Sequence, residues 1–448
     1  MTKVANAAVA LALLLGVPAV GLAQVRSARL TIAEAARQAL ATHPARAVSV
    51  AERDRAEAQR DEARASWLPR VTTEWSGVRF QEPMIVAPLH GFDPMNPPEF
   101  DRLLVQGNLA ASWLVFDGGA RSARGNRTEA VRDAAAAGIV ATESELLVRV
   151  AHAYLSVVTA RETGAAQRAR VTALVAALDR VRQSETEGRA ARVDVIRSEA
   201  ALSRSRAAVA ANAAEVLARE GDLARLIGST LATVRASSLE TPAVPVAAAD
   251  RASLLDRTLE ANPRVLRARH QVNAAAAMVR ESRSVWLPSV TLGGQYNAFA
   301  SSATSLTAEW QGALRVSYAL FTGGQRSSVV ARAEAERVAA EQTLRLAQLE
   351  VATAVDGALA ALAQADAQVQ ALEAAVVQFE AVVAVERLSL DTGAGVQSEY
   401  LDAESQLVES RAALAAARAA RVLARVELAR AAGELNLDWI IDNVEQAP

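Results

Sequence analysis

Two periodicities divide this chain. Val355, Leu359, Leu362, Val369, Leu372, Val376, Phe379 and Val383 recur at threes and fours, the stripe of packed helices. No proline falls between Pro98 and Pro242 or between Pro288 and Pro448, so nothing in those stretches breaks a helix. The pattern predicts a helix over about 120–187, roughly 100 Å long at 1.5 Å per residue. Gly188 and Gly393 interrupt the two long helical stretches, and return helices are expected at about 193–227 and 397–433. Helices of this length imply coiled-coil packing. Elsewhere the period falls to two. Val290, Leu292, Gly294 and Tyr296 alternate with Thr291, Gly293, Gln295 and Asn297, and Leu314, Val316, Tyr318 and Leu320 alternate with Ala313, Arg315, Ser317 and Ala319. Such alternation marks a strand with one apolar and one polar face. It predicts strands at about 289–299 and 312–321. An earlier pair, about 70–80 and 108–116, is less regular, and Arg79 spoils one face of it.

The chain also contains itself twice. Leu40-Ala41-Thr42-His43-Pro44 returns as Leu259-Glu260-Ala261-Asn262-Pro263, and Trp67-Leu68-Pro69 returns as Trp286-Leu287-Pro288, both at an offset of 219. Phe116-Asp117-Gly118-Gly119 returns as Phe321-Thr322-Gly323-Gly324 at an offset of 205, and Gly188, Asp194, Glu199 and Arg206 match Gly393, Glu399, Glu404 and Arg411 at that same offset. The change in offset falls where the first copy carries a longer Pro-rich loop, residues 81–100. Each copy begins with a short helix (about 31–42 and 251–261) and a second helix that ends at Trp-Leu-Pro. Pro69 and Pro288 stop those helices, and the pairs Gly118-Gly119 and Gly323-Gly324 turn the strands back into helix. The division predicted is a leader at 1–23, a first repeat at 24–227, a linker at 228–250, a second repeat at 251–435 and a C-terminal tail at 436–448.

Composition sharpens this layout. Apolar residues make up 51% of the 448, yet aromatics only 4%, so the chain is built for long, closely packed helices. Thirteen of the aromatics lie within 67–116 and 286–321, where the alternation is. At the N-terminus, Lys3, the apolar run Val4 to Val20 and Gly21-Leu22-Ala23 before Gln24 have the form of a cleaved signal peptide. A membrane-anchoring helix is the alternative, disfavoured by the short run. No later stretch approaches 18 consecutive apolar residues. Strands of about ten residues with an apolar and a polar face can span an outer membrane, whereas a small soluble sheet capping a helical bundle is the plainer reading. If they do span it, four strands cannot close a barrel and open edges are not tolerated in lipid, so the chain must oligomerise. Three chains would supply twelve strands.

With its order of motifs and their duplication, together with Val193-Asp194-Val195-Ile196 before Glu199, the chain resembles the TolC family of outer membrane efflux proteins over about 29–435. The resemblance implies a mainly α protein with a small β part. Duplicated long helical hairpins would form a periplasmic α-barrel, and four strands per chain would contribute to a 12-stranded outer-membrane β-barrel in a homotrimer. It further implies a passive conduit in the outer membrane, reaching into the periplasm, that docks with a periplasmic adaptor and an inner-membrane RND or ABC transporter. Export of drugs, metals or proteins would all fit such a tube.

The tips at Gly188 and Gly393 would then be the periplasmic entrance. Glu399 and Asp402 share a helical face by their spacing of three, and the resemblance puts them where a pair of carboxylates lines the pore. Asp194 is the matching acidic residue of the first copy, and the resemblance makes it the expected partner of the arginine that latches the closed entrance. Negative charge at a helix N-terminus is favourable in any case, so both readings of the carboxylates stand. Where family members carry an arginine two residues after the tip glycine, a latch for the closed entrance, this chain has Gly395. Arg189 and Arg192 are the candidates to replace it. Catalysis, cofactors and metals find no support. The four histidines, at 43, 90, 152 and 270, have no metal-ligand spacing, there is no cysteine, and the Gly-Gly pairs lack a phosphate-loop context. The net charge of −2 argues against nucleic acid. Two rivals remain at this stage. A periplasmic coiled-coil adaptor would carry one hairpin rather than two, and a purely structural rod would have no reason to gather its aromatics into strands.

Overall fold

The computed structural model describes residues 29–86, 88, 90, 94, 95, 97–243, 250–302 and 306–445; the leader expected at 1–23 lies outside them. Each repeat opens with two helices joined at a proline. In the first these are α1 (Ile32–Thr42) and α2 (Pro44–Ala65). His43 ends one helix and caps the next, its Nδ1 accepting from Ala45 N at 3.1 Å with Pro44 in the first turn, where a missing N–H costs nothing. Its repeat counterpart Asn262 does the same for the helix that starts at Pro263, accepting from Arg264 N at 2.9 Å. Both are caps, which is why a histidine and an asparagine occupy equivalent places.

β1 (Arg70–Ile85) and β2 (Phe100–Phe116) follow, then the 67-residue α3 (Ala120–Thr186), the return helix α4 (Arg192–Leu226) and the short α5 (Leu231–Ala236). The second repeat comprises α6 (Arg251–Ala261), α7 (Pro263–Arg283), β3 (Ser289–Ala300), β4 (Thr307–Ser317), α8 (Gln325–Asp391), again of 67 residues, and α9 (Gln397–Ala432). The chain closes with α10 (Leu437–Ile440) and a π-helical turn, Ile441–Glu445. The strands form one antiparallel sheet in the order β1-β2-β3-β4, so β1 and β4 are open edges. α3 packs on α7, α4, α2 and α9, and α8 packs on α9 and α7.

Four details depart from the sequence reading. β1 and β2 extend to Ile85 and from Phe100, past the expected ends at 80 and 108. The register slips between Arg79 and Met84, next to Pro83, and an edge strand tolerates such a break. β4, in contrast, lies earlier than expected, starting at Thr307 rather than 312 and ending at Ser317 rather than 321. Ser317 pairs with Ser289, and the residue before that is Pro288, which has no N–H to continue the ladder. The segment 228–250 is more than a linker: it holds α5, and Leu30 N donates to Ser238 O at 3.1 Å. Nor is 436–445 a loose tail, because Ile440 and Val444 are buried in the main core with Val234 of α5, Leu146, Val150 and Val157 of α3, and Val422 and Val426 of α9. That core sits mid-length along the helices, where Tyr154 donates its hydroxyl to Leu30 O at 2.9 Å.

α8 contains a stretch with mean hydropathy 1.4, long and apolar enough to cross a membrane by composition, only 22% of it buried. The count of consecutive apolar residues overlooked it. Its alanines and valines pack on α9, to which the ion pairs Arg411–Glu380 and Arg418–Glu373 (both 2.8 Å) tie it.

Candidate functional site

Both long hairpins turn by one device. Gly188 and Gly393 take φ of 74° and 79°, the left-handed conformation that closes a helix C-terminus at little cost for glycine. Arg189 N then donates to Ser184 O at 2.8 Å, and Ala394 N to Ser389 O at 2.9 Å. At the second tip Gly395 N also reaches Ser389 O, at 2.9 Å. A Cβ on Gly395 would stand 2.8 Å from Leu390 N and 2.9 Å from the Ser389 carbonyl carbon. Any side chain at this position would force the turn to shift.

Asp194 and Glu399 occupy equivalent places in the first turns of α4 and α9. Their surroundings differ. Asp194 has Arg197 at 3.7 Å, and the position equivalent to Arg197 in the second repeat is Asp402. Glu399 and Asp402 are exposed on one face of α9, and their carboxylates have no hydrogen bond or ion pair among the described residues. The first repeat neutralises its tip where the second leaves two bare carboxylates. Arg189 pairs with Glu187 and Arg192 with Glu185 (3.4 Å), both within the first tip.

What joins the two tips escaped the sequence reading. Gln397 Nε2 donates to Ser198 Oγ at 3.1 Å in a buried contact between α9 and α4, and Arg180 reaches Asp391 at 3.9 Å. Leu401 packs against Leu174, Leu178, Val195 and Leu202. Between the two carboxylates in sequence but on the buried side of α9, Tyr400 is 2% exposed and donates its hydroxyl to the buried Glu404 at 3.0 Å. Burial foremost, then the negative charge of Glu404, pushes the Tyr400 phenol up to about 12, opposed by Arg180 and Arg387. The one available signal was that Tyr400 is among the few aromatics outside the strand regions.

At the other end of the helices, the predicted turn residues sit where strand meets helix. Gly118, Gly119, Gly323 and Gly324 all have positive φ, and Pro69 and Pro288 immediately precede β1 and β3. A Cβ on Gly118 would lie 2.7 Å from Leu287 Cβ, so the two repeats touch at this joint. Each joint is clamped by an arginine that sequence reasoning missed. Arg121 stacks on Trp67 at 4.4 Å, donates to Val115 O at 3.0 Å and pairs with Asp117 at 3.1 Å. Arg326 lies over Trp286 at 5.3 Å and Tyr318 at 4.8 Å. Ring faces attract guanidinium groups at such distances.

The ladder sorts the sheet into two faces. Val71, Trp75, Leu109, Trp113, Leu292, Tyr296, Trp310, Leu314 and Val316 share one side, all exposed. Gly107 leaves room on that side for the Trp75 ring, whose Cζ3 would lie 2.7 Å from a Cβ there. Thr72, Gln106, Asn108, Gln295, Asn297 and Gln311 share the other. An exposed apolar face with aromatics, opposite a polar one, is what a strand needs between lipid and a water-filled lumen.

The comparisons agree with this architecture. The model of the outer membrane efflux protein family matches residues 35–229 and 254–434. Protein CyaE of Bordetella pertussis is 31% identical over 355 residues, 75% of this chain and 73% of that one. Outer membrane protein TolC of Vibrio cholerae is 24% identical over 345 residues, 74% and 75% of the two chains. The crystal structure of the Campylobacter jejuni CmeC outer membrane channel superposes with a TM-score of 0.78, covering 92% of this chain and 88% of that one at 15% identity, a likeness of fold.

Proposed function

The chain belongs to the outer membrane efflux protein family, and from that premise we propose that three copies form one export conduit whose periplasmic mouth is lined by Glu399 and Asp402. It is an outer-membrane channel protein extending into the periplasm. The sheet carries the reading: four strands with lipid-suited and water-suited faces and two unpaired edges are a barrel segment, not a barrel. Closure of β4 of one copy onto β1 of the next removes every edge, and twelve strands result. The exposed apolar residues of α8, among them Leu346, Leu349, Val377, Val385 and Leu388, would be covered by neighbouring copies in the helical tube.

Around the threefold axis the bare carboxylates make two stacked acidic rings, and rings of charge favour ions of opposite sign. Arg189 and Arg192, the candidate latch residues, pair with Glu187 and Glu185 of their own tip, while Glu399 and Asp402 of the second tip keep their charge unpaired among the described residues. The tube works with a periplasmic adaptor and an inner-membrane RND or ABC transporter, which supply the energy. Its cargo is whatever those partners deliver.

The test is the oligomeric state and planar-bilayer conductance of protein extracted from outer membranes. A conducting trimer whose conductance changes with Glu399→Ala plus Asp402→Ala supports tube and entrance together. Indifference to those changes removes the entrance assignment alone, and a water-soluble, non-conducting monomer overturns the channel.

A further inference from the structure

One row on the polar face crosses the whole sheet. Glu74, Asn108, Asn297 and Glu309 are successive partners in the ladder of β1, β2, β3 and β4. The two central amides join, Asn108 Nδ2 donating to Asn297 Oδ1 at 2.6 Å. The two carboxylates stand on the outer strands, at the edges where copies would meet. Closer to the helices, the same face carries Arg70 at the start of β1 and Arg315 near the end of β4. Their spacings from Glu74 and Glu309 are even, which keeps all four side chains on one side of the pleat.

At about 3.3 Å per residue, Arg70 lies roughly 13 Å along the strand from Glu74, and Arg315 roughly 20 Å from Glu309. Those distances exceed both an ion pair and the Debye length of about 8 Å at 0.15 M salt, so neither belt cancels the other. Arg70, Glu74 and Arg315 have no ion pair among the described residues. Glu309 accepts from His90 Nε2 at 3.0 Å, a contact from the connection between β1 and β2 that lies in the same outer part of the wall.

We propose that the barrel wall is a second charge filter in series with the entrance. Outward-moving cargo meets a guanidinium belt, Arg70 and Arg315 from each copy, and then a carboxylate belt, Glu74 and Glu309 from each copy. This rests on the channel reading above. The outer belt raises the local concentration of cations and the inner belt that of anions, because fixed charge on a low-dielectric wall focuses its field into the lumen. All four charges stand on the outer strands, so closure of β4 onto the β1 of the next copy gathers charges of two copies at each seam.

The experiment is the reversal potential of the trimer under a KCl gradient, in a Glu399→Ala plus Asp402→Ala background that silences the entrance. With Glu74→Gln plus Glu309→Gln, the cation-to-anion permeability ratio should fall by about two-fold or more near 0.1 M salt. The difference should fade at 1 M, where the Debye length is about 3 Å. Arg70→Gln plus Arg315→Gln should move the ratio the opposite way, and it keeps the test alive if the glutamine pair fails to assemble. Unchanged ratios in channels that still conduct would overturn the filter and leave the channel intact. Absence of conductance in the parent protein would instead remove the channel, and the filter with it.

Discussion

Tyr400 shows how much of the second tip depends on single buried contacts. Its phenol is raised to about 12 by burial first and Glu404 second, against about 10 for an ordinary tyrosine. The folded chain therefore holds this proton more firmly than the unfolded one. The stabilisation is fully present below about pH 10 and is lost as pH climbs through 10 toward 12. Tyr400→Phe should cost about 1–3 kcal/mol at neutral pH by leaving the Glu404 carboxylate buried without its donor. The same change should flatten the alkaline loss of stability. Melting curves at pH 7 and pH 11 check both, and an unaltered alkaline limb would assign the titration to another group. That Glu399 and Asp402 share one helical face was legible in the sequence, because a spacing of three on a helix is a property of the chain alone. Tyr400–Glu404 and Gln397–Ser198 were not, since nothing local says which side of α9 meets α4.

Among the elements, the long helices were the most legible and their contacts the least. α3 and α4 approach closely where Asn212 Nδ2 donates to Ala160 O at 3.1 Å in a buried bond. A Cβ on Gly164 would fall 2.2 Å from Asn212 Oδ1, whereas one on Gly138 in the same helix meets nothing within 4 Å. Alanine is the better helix former by up to about 1 kcal/mol, so Gly138→Ala should stabilise the chain. Gly164→Ala should destabilise it by about 1–3 kcal/mol through overpacking. Parallel thermal melts of the two variants decide this, and equal effects would mean that α3 and α4 do not touch as described. The strands were legible only where alternation was clean. β3 was placed within a residue or so at either end. β1 and β2 were cut short because Arg79 and Pro83 break the pattern, and β4 was placed four to five residues too late at both ends, because alternation continued past the last available partner.

For the molecule as a whole, the decisive quantity is which face of the sheet meets lipid. Trp310 lies on the apolar face of β4, and its neighbour Gln311 on the polar one. An arginine on a lipid-facing strand position near the bilayer midplane costs about 2–4 kcal/mol, while lumen positions accept charge. Trp310→Arg should therefore reduce the amount of assembled protein recovered from outer membranes, and Gln311→Arg should leave recovery near that of the parent. Reversed outcomes would turn the barrel inside out and undo the charge belts with it.

Duplication, helix lengths, strand alternation and the tip carboxylates follow from the order of residues, because each depends on spacing along a single chain. The sequence also announced that four strands are too few to stand alone in lipid. Only the tertiary structure decided that β2 lies beside β3, bringing the two repeats into one sheet and setting Glu74 and Glu309 in a single row. It alone showed that Arg121 and Arg326 clamp the joints on Trp67 and Trp286, and that residues expected to be linker and tail fill the core with Val234, Ile440 and Val444. Those features pair residues far apart in the chain, and whether such a pair meets depends on helix rotation and strand register, which packing settles and periodicity leaves free.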